Sequence, residues 1–77
     1  MLKYKINVAD ALERKGFTTY TAKKTKILSQ DTLKKLKNED TSISLETINR
    51  LCMILNMEVK DILIYVENED EKKKYLL

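Results

Sequence analysis

The chain has no proline, no histidine and no tryptophan, and only one glycine, one cysteine and one phenylalanine among its 77 residues. Each shortage closes a set of options. Without histidine, and with Cys52 alone, there is no Cys/His cluster for zinc and no internal disulfide. No nucleophile–base set, Gly-rich loop or paired acid in an apolar setting is present, so no catalytic residue, metal or cofactor is expected. Cys52 reads as a small core residue. The longest run free of polar side chains is about Ile62 to Val66, far short of the roughly 20 residues that span a bilayer. The opening "MLKYKINVAD" has no apolar leader region. No membrane partner and a reduced, cytoplasmic setting are therefore expected. Almost nothing interrupts a helix, and Lys, Leu and Glu dominate, all good helix formers. The fold class implied is all-α, in one small domain whose core supplies only about 3–5 kcal/mol without further help. No repeat, linker or separate effector domain is visible.

Charge is what the chain has in unequal measure. The net charge is only +3, but Leu12 to Asn38 carries eight basic and two acidic side chains, a local +6. Glu39 to Leu77 carries five basic and nine acidic ones, a local −4. A basic block of this kind fits an anionic partner, and fits a solvated lysine-rich surface as well.

Five helices can be placed. Asn7 is a possible N-cap for a first helix to Lys15, with Val8, Ala11 and Leu12 on one face and Gly16 suited to a left-handed end. Thr18 can cap a second helix, Thr19 to Lys26, which has Ala22 as its one clearly buried type and is weakened by its threonines. Ser29 caps the third, with Leu28 and Leu33 spaced as a hydrophobic staple. Ser44 caps the fourth, where Ile43 and Ile48 repeat the staple and Ile48, Leu51, Cys52 and Leu55 recur at helical spacing. A short fifth helix around Lys60 to Tyr65 would turn Val59, Ile62, Leu63 and Val66 inward. Glu46, Glu58 and Asp61 read as helix-start charges. The domain is expected over residues 1–66, with 67–77 a charged tail, "ENEDEKKKYLL", for which disorder is the default. The alternative is a helical extension anchored by Tyr75, Leu76 and Leu77.

The segment "ILSQDTLKKLKN" repays a helical wheel at about 100° per residue. Leu33 and Leu36 define the buried side. Asp31, Asn38, Lys34 and Lys35 fall opposite, with Gln30 and Lys37 flanking. Asp31 and Lys35 form one i,i+4 pair, and no glutamate is present to balance the other lysines. Gln30 and Asp31 occupy the first turn, the end that reaches base edges when a helix lies in a major groove. A helix of about eight residues, a short turn and a second helix with a polar start is the helix-turn-helix arrangement.

The stretch "KGFTTYTAKKTKILSQDTLKKLKNEDTSISLETINRLCMILNMEVKDILIYV" resembles the Cro/C1-type helix-turn-helix family of small bacterial and phage transcriptional regulators. The likeness runs from about Ile6 to Val66, and "ISLETINRLCMILNMEVKDIL" is its more specific part. It implies a compact, lambda-repressor-like five-helix bundle with the helix-turn-helix at helices 2 and 3. It also implies double-stranded DNA as partner and a homodimer on DNA. By the same resemblance Gln30, Asp31, Lys34 and Lys35 take base-facing places. Thr18, Thr19, Tyr20, Thr32, Lys37 and Asn38 take places near phosphates, though Tyr20 can equally pack over the helix 1–2 junction. The chain departs from the family where relatives carry glycine in the helix 2–3 turn. Here Lys26-Ile27 must make the turn without positive φ or with modest strain. Ala22 and Lys23 stand where relatives place Leu and Ala. Asp31 sets a carboxylate toward the groove, which calls for a cytosine amino group or for Lys35 as a neutralising neighbour. A protein-interaction module on the same fold, such as an antitoxin or a co-regulator, is the alternative reading.

Overall fold

Each main helix begins where a side-chain oxygen takes up a backbone N–H that the first turn leaves without a partner. The computed structural model describes residues 1–76. Its order is β1 (Leu2–Tyr4), α1 (Val8–Arg14), α2 (Thr19–Thr25), α3 (Gln30–Lys37), α4 (Leu45–Leu55), α5 (Val59–Ile62), β2 (Leu63–Tyr65) and α6 (Glu69–Tyr75). Asn7, Thr18, Ser29 and Ser44 accept from the N–H three residues on, as their positions implied. At three of these starts the residue three on is threonine, whose hydroxyl meets the cap's own: Ser29–Thr32 at 2.9 Å, Ser44–Thr47 at 3.0 Å and Thr18–Thr21 at 3.4 Å.

The helix ends show what one glycine means. Among the described residues four adopt left-handed backbone, Gly16 (φ 79°), Lys26 (φ 57°), Glu39 (φ 57°) and Asn56 (φ 55°), so three of the four have a Cβ. After α1, Phe17 N–H bonds Leu12 C=O and Gly16 N–H bonds Glu13 C=O, both at 2.9 Å. After α3, Asp40 bonds Lys35 at 2.9 Å and Glu39 bonds Leu36 at 3.2 Å in the same pattern, which satisfies the last carbonyls of each helix. Lys26 resolves the helix 2–3 turn: it is made with positive φ, at a cost of about 1–2 kcal/mol for a residue with a Cβ.

The core is one apolar cluster of Val8, Leu12, Leu28, Leu36, Ile48, Leu51, Leu55 and Ile62. It draws on α1, the turn before α3, α3 itself, α4 and α5. Leu51 and Ile62 are completely shielded from solvent. Ala22 is the only buried residue of α2, so this helix is held mainly by its turn and by packing on α3. No helix among the described residues is long and apolar enough to cross a membrane.

The mostly helical expectation stands, with two additions. A two-stranded antiparallel sheet pairs Leu2 with Tyr65, Lys3 with Ile64 and Tyr4 with Leu63, and the tail contains a sixth helix. The expected fifth helix to Tyr65 is corrected: α5 ends after one turn at Ile62, and Leu63 is extended. Of the four residues expected inward, Ile62 is buried and Leu63 partly so, whereas Val59 at the first position of α5 and Val66 beyond the strand are exposed. Tyr75 and Leu76 are exposed too and do not anchor α6, while Leu77 lies outside the described residues.

Two long-range hydrogen bonds fix α3 in this frame. Arg50 of α4 donates from Nη1 to the carbonyl of Ile27 at 3.0 Å, while its Nε faces Glu46 at 3.3 Å. Tyr4 of β1 donates its hydroxyl to the carbonyl of Asp40 at 2.8 Å. The turn before α3 is thus pinned to α4, and the loop after it to the sheet.

Left-handed backbone yields two substitutions of opposite sign. Gly16→Ala meets no atom within 4 Å, so its cost is conformational, about 1 kcal/mol. Lys26→Gly should stabilise by about 0.5–1 kcal/mol, strain relief partly offset by the freer unfolded chain, and raise the thermal midpoint by about 2–8 °C. A lowered midpoint for Lys26→Gly would mean that its side chain outweighs the strain. Arg50→Ala should destabilise by about 1.5–3 kcal/mol in denaturant titration, the scale of a charged donor on a carbonyl, and Arg50→Lys should recover part of this.

Candidate nucleic-acid interface

The helix pair α2 and α3 packs across the Lys26–Ser29 turn. Burial of Leu36, with Leu33 and Thr32 partly covered, sets which way α3 faces. Gln30, Asp31, Lys34, Lys37 and Asn38 are exposed. Lys35 is not outermost. Its Nζ bends toward the loop after the helix, 3.2 Å from the carbonyl of Ser42 and 3.5 Å from Asp31 Oδ2, and its side chain is half-buried. The outward ridge is therefore Asp31, Lys34 and Asn38, three and four residues apart, with Gln30 and Lys37 beside it.

Among the residues placed near phosphates, Thr18 serves as the α2 cap. Thr18, Thr19 and Lys37 come together at one shallow cleft where α1, α2 and α3 meet, over an apolar floor that includes Phe17 and Leu33. Tyr20 is 71% exposed, so it does not pack over the helix 1–2 junction. The Thr32 hydroxyl receives a hydrogen bond from Ser29, which leaves its own proton free to be donated. Asn38 is the C-cap of α3 and its side chain is exposed.

Glu13 also lines that cleft, but the α2–α3 segment as a whole is rich in lysines without acidic partners. Lys23, Lys24, Lys26, Lys34 and Lys37 have no acidic partner within ion-pair distance among the described residues. Lys23 and Lys24 lie on α2, are exposed, and add to the field without having been singled out from the sequence. Their signal was the basic block itself. Arg50 was missed as well, because an i,i+4 pair with Glu46 gives no hint that the guanidinium also reaches a turn 23 residues earlier.

Behind the ridge, the Asp40 carboxylate accepts from the Ser42 hydroxyl at 2.7 Å and the Ser42 N–H at 2.9 Å. These two bonds, with Lys35 nearby, hold its carboxyl below the usual aspartate range. Burial, and then the charge of Asp40, push the Tyr4 phenol upward. Tyr4 thus stays a neutral donor to the loop at physiological pH. No group of three or more His, Cys, Asp or Glu side chains among the described residues could hold a metal.

Comparison with known proteins agrees with this geometry. A family model described as the Cro/C1-type HTH DNA-binding domain matches residues 1–68. No curated protein and no solved structure matches the chain. The matched span includes both strands and every helix from α1 to α5. With Ser29-capped α3 displayed on a clamped frame and lysines gathered around it, the chain belongs to the Cro/C1-type helix-turn-helix DNA-binding family.

Proposed function

We propose that this DNA-binding domain is a sequence-specific transcriptional regulator that occupies a promoter-region site with α3 in the major groove. The observation that carries the reading is the α3 ridge. It presents hydrogen-bonding and cationic groups with no apolar side chain, and both of its ends are tied to the rest of the fold. Gln30, Asp31 and Lys34 face base edges, with Lys35 behind them steadying Asp31. Thr18, Thr19, Tyr20, Thr32, Lys37 and Asn38, joined by Lys23 and Lys24, contact phosphates and set the register. Residues 1–66 form the DNA-binding unit, and the segment from 67 on is an appended charged element. Repression follows from steric exclusion or from direct contact with polymerase. No step of this mechanism is catalytic.

A single domain of this size reads few base pairs, so useful specificity needs two copies on half-sites about one helical turn apart. Away from α2 and α3, exposed Met53, Ile64 and Tyr65 supply apolar surface for a weak homodimer completed on DNA. One observation favours a second reading, the interaction module of antitoxin or co-regulator type: Asp31 puts a carboxylate on the surface that would meet phosphates. Co-purification of a protein partner, with no DNA shift at low salt, would decide for that reading.

Selection from a random duplex library should enrich a two-fold symmetric site, and affinity should fall steeply as salt rises. Sedimentation should find two chains per selected site and mostly monomer in free solution; one chain on an asymmetric site would defeat the dimer. Lys37→Ala should weaken binding to selected and random duplexes alike and lower the salt slope by about one. A loss confined to the selected duplex would instead place Lys37 on a base.

A further inference from the structure

The α3 ridge combines an acceptor-only group, Asp31, with a donor-only group, Lys34, three residues apart and therefore neighbours on one face. Their states differ from that of Lys35. Lys35 is drawn toward Ser42 and meets only Oδ2 of Asp31. Asp31 Oδ1 has no hydrogen-bond partner among the described residues, and the Asp31 side chain is 76% exposed. Lys34 is exposed and has no acidic partner among the described residues.

Resting on the proposed placement of α3 in the major groove, we infer that Asp31 and Lys34 together select a C·G base pair. Oδ1 of Asp31 accepts from the cytosine N4 amino group, and Nζ of Lys34 donates to O6 or N7 of the paired guanine.

The chemistry of the groove narrows the choice. An ionised carboxylate can only accept, and the major groove offers two donors, cytosine N4 and adenine N6. Thymine or guanine in the same place would set O4 or O6 against the carboxylate, so Asp31 discriminates by repulsion as well as attraction. Lys34 separates the two remaining bases. The partner of cytosine shows two acceptors, O6 and N7, whereas the partner of adenine shows a single O4 beside a methyl group. Lys35 offsets the charge of Asp31 from behind, which lowers the phosphate repulsion that a bare carboxylate would meet. The plainer role, a first-turn acid stabilised by the helix dipole next to a solubilising lysine, entails no base preference at all.

The test uses the full chain. Sites are selected from random duplexes, and binding is then measured by fluorescence anisotropy on the selected duplex. Single cytosines are replaced by 2-pyrimidinone, which lacks only the N4 amino group. Single guanines are replaced by 7-deazaguanine, which lacks N7. Expected is one C·G pair per half-site where the pyrimidinone costs the wild-type chain about tenfold or more, the scale of one good base contact. The same replacement should cost Asp31→Ala nothing. At that pair the 7-deazaguanine penalty should shrink for Lys34→Ala. Asp31→Asn, which keeps an acceptor but adds a donor, should tolerate thymine there, and thermal melts of each variant establish that it is folded. Equal pyrimidinone penalties for wild type and Asp31→Ala at every position would overturn the inference, as would a selected site whose preferences are the same for both proteins. Either result leaves DNA binding intact, whereas failure to enrich any duplex removes the inference together with the reading it rests on.

Discussion

Burial of one face of α4 is the constraint from which the rest of the domain follows. Ile48, Leu51 and Leu55 lie along that face, and the other segments close over them: Val8 and Leu12 from α1, Leu28 from the turn, Leu36 from α3 and Ile62 from α5. A core of this size leaves no redundancy. Apart from α4, each helix of the cluster contributes only one or two side chains, so its direction depends heavily on how its ends are finished. This is why the caps matter here beyond their individual worth. Ser29 and Leu28 together decide the entry angle of α3, one by accepting an N–H and the other by sinking into the cluster.

The exposed ridge of α3 is a product of the same economy. A helix with only Leu36 fully buried and Leu33 partly so could rotate about its axis at little cost. Rotation is resisted by polar groups outside the buried cluster proper. Arg50 holds the carbonyl of Ile27, Tyr4 holds the carbonyl of Asp40, and Lys35 bridges to Ser42. All three bonds end on backbone carbonyls in the segments flanking α3. The arrangement positions the helix without using its outward side chains, and these stay available for a ligand.

Much of this was legible in the sequence, and the residues show why. Asn7, Thr18, Ser29 and Ser44 act locally, over three residues, and local chemistry reads directly from spacing. The exposed side of α3 reads from spacing for the same reason, except at Lys35, because a helical wheel contains no information about Ser42, seven residues on in a loop. The sheet escaped notice although its signal was present: Leu2, Tyr4 and Ile6 alternate with Lys3 and Lys5. Strands of three residues are too short to outweigh a helix reading, and "ILIYV" is apolar at every position, so period cannot choose between helix and strand. What decides in favour of strand is a partner some 60 residues away. Arg50 is invisible on similar grounds. Lys26 is the reverse case, where sequence posed the alternatives and only backbone geometry could choose.

The sheet joins the first residues of the domain to nearly the last, while the helices are built from neighbours. Contacts of such long range form late, because the loop they close must be ordered first. On a growing chain β1 waits unpaired until β2 has emerged. A ladder of three residue pairs, with few buried side chains, sits at the low end of the stability range within a domain. When it frays, Tyr4 leaves Asp40, and the loop that ends α3 loses its outside support while the Arg50 anchor remains. The two ends of α3 thus differ in what holds them from outside: the turn before the helix is tied to the longest helix of the core, and the loop after it to a three-residue sheet.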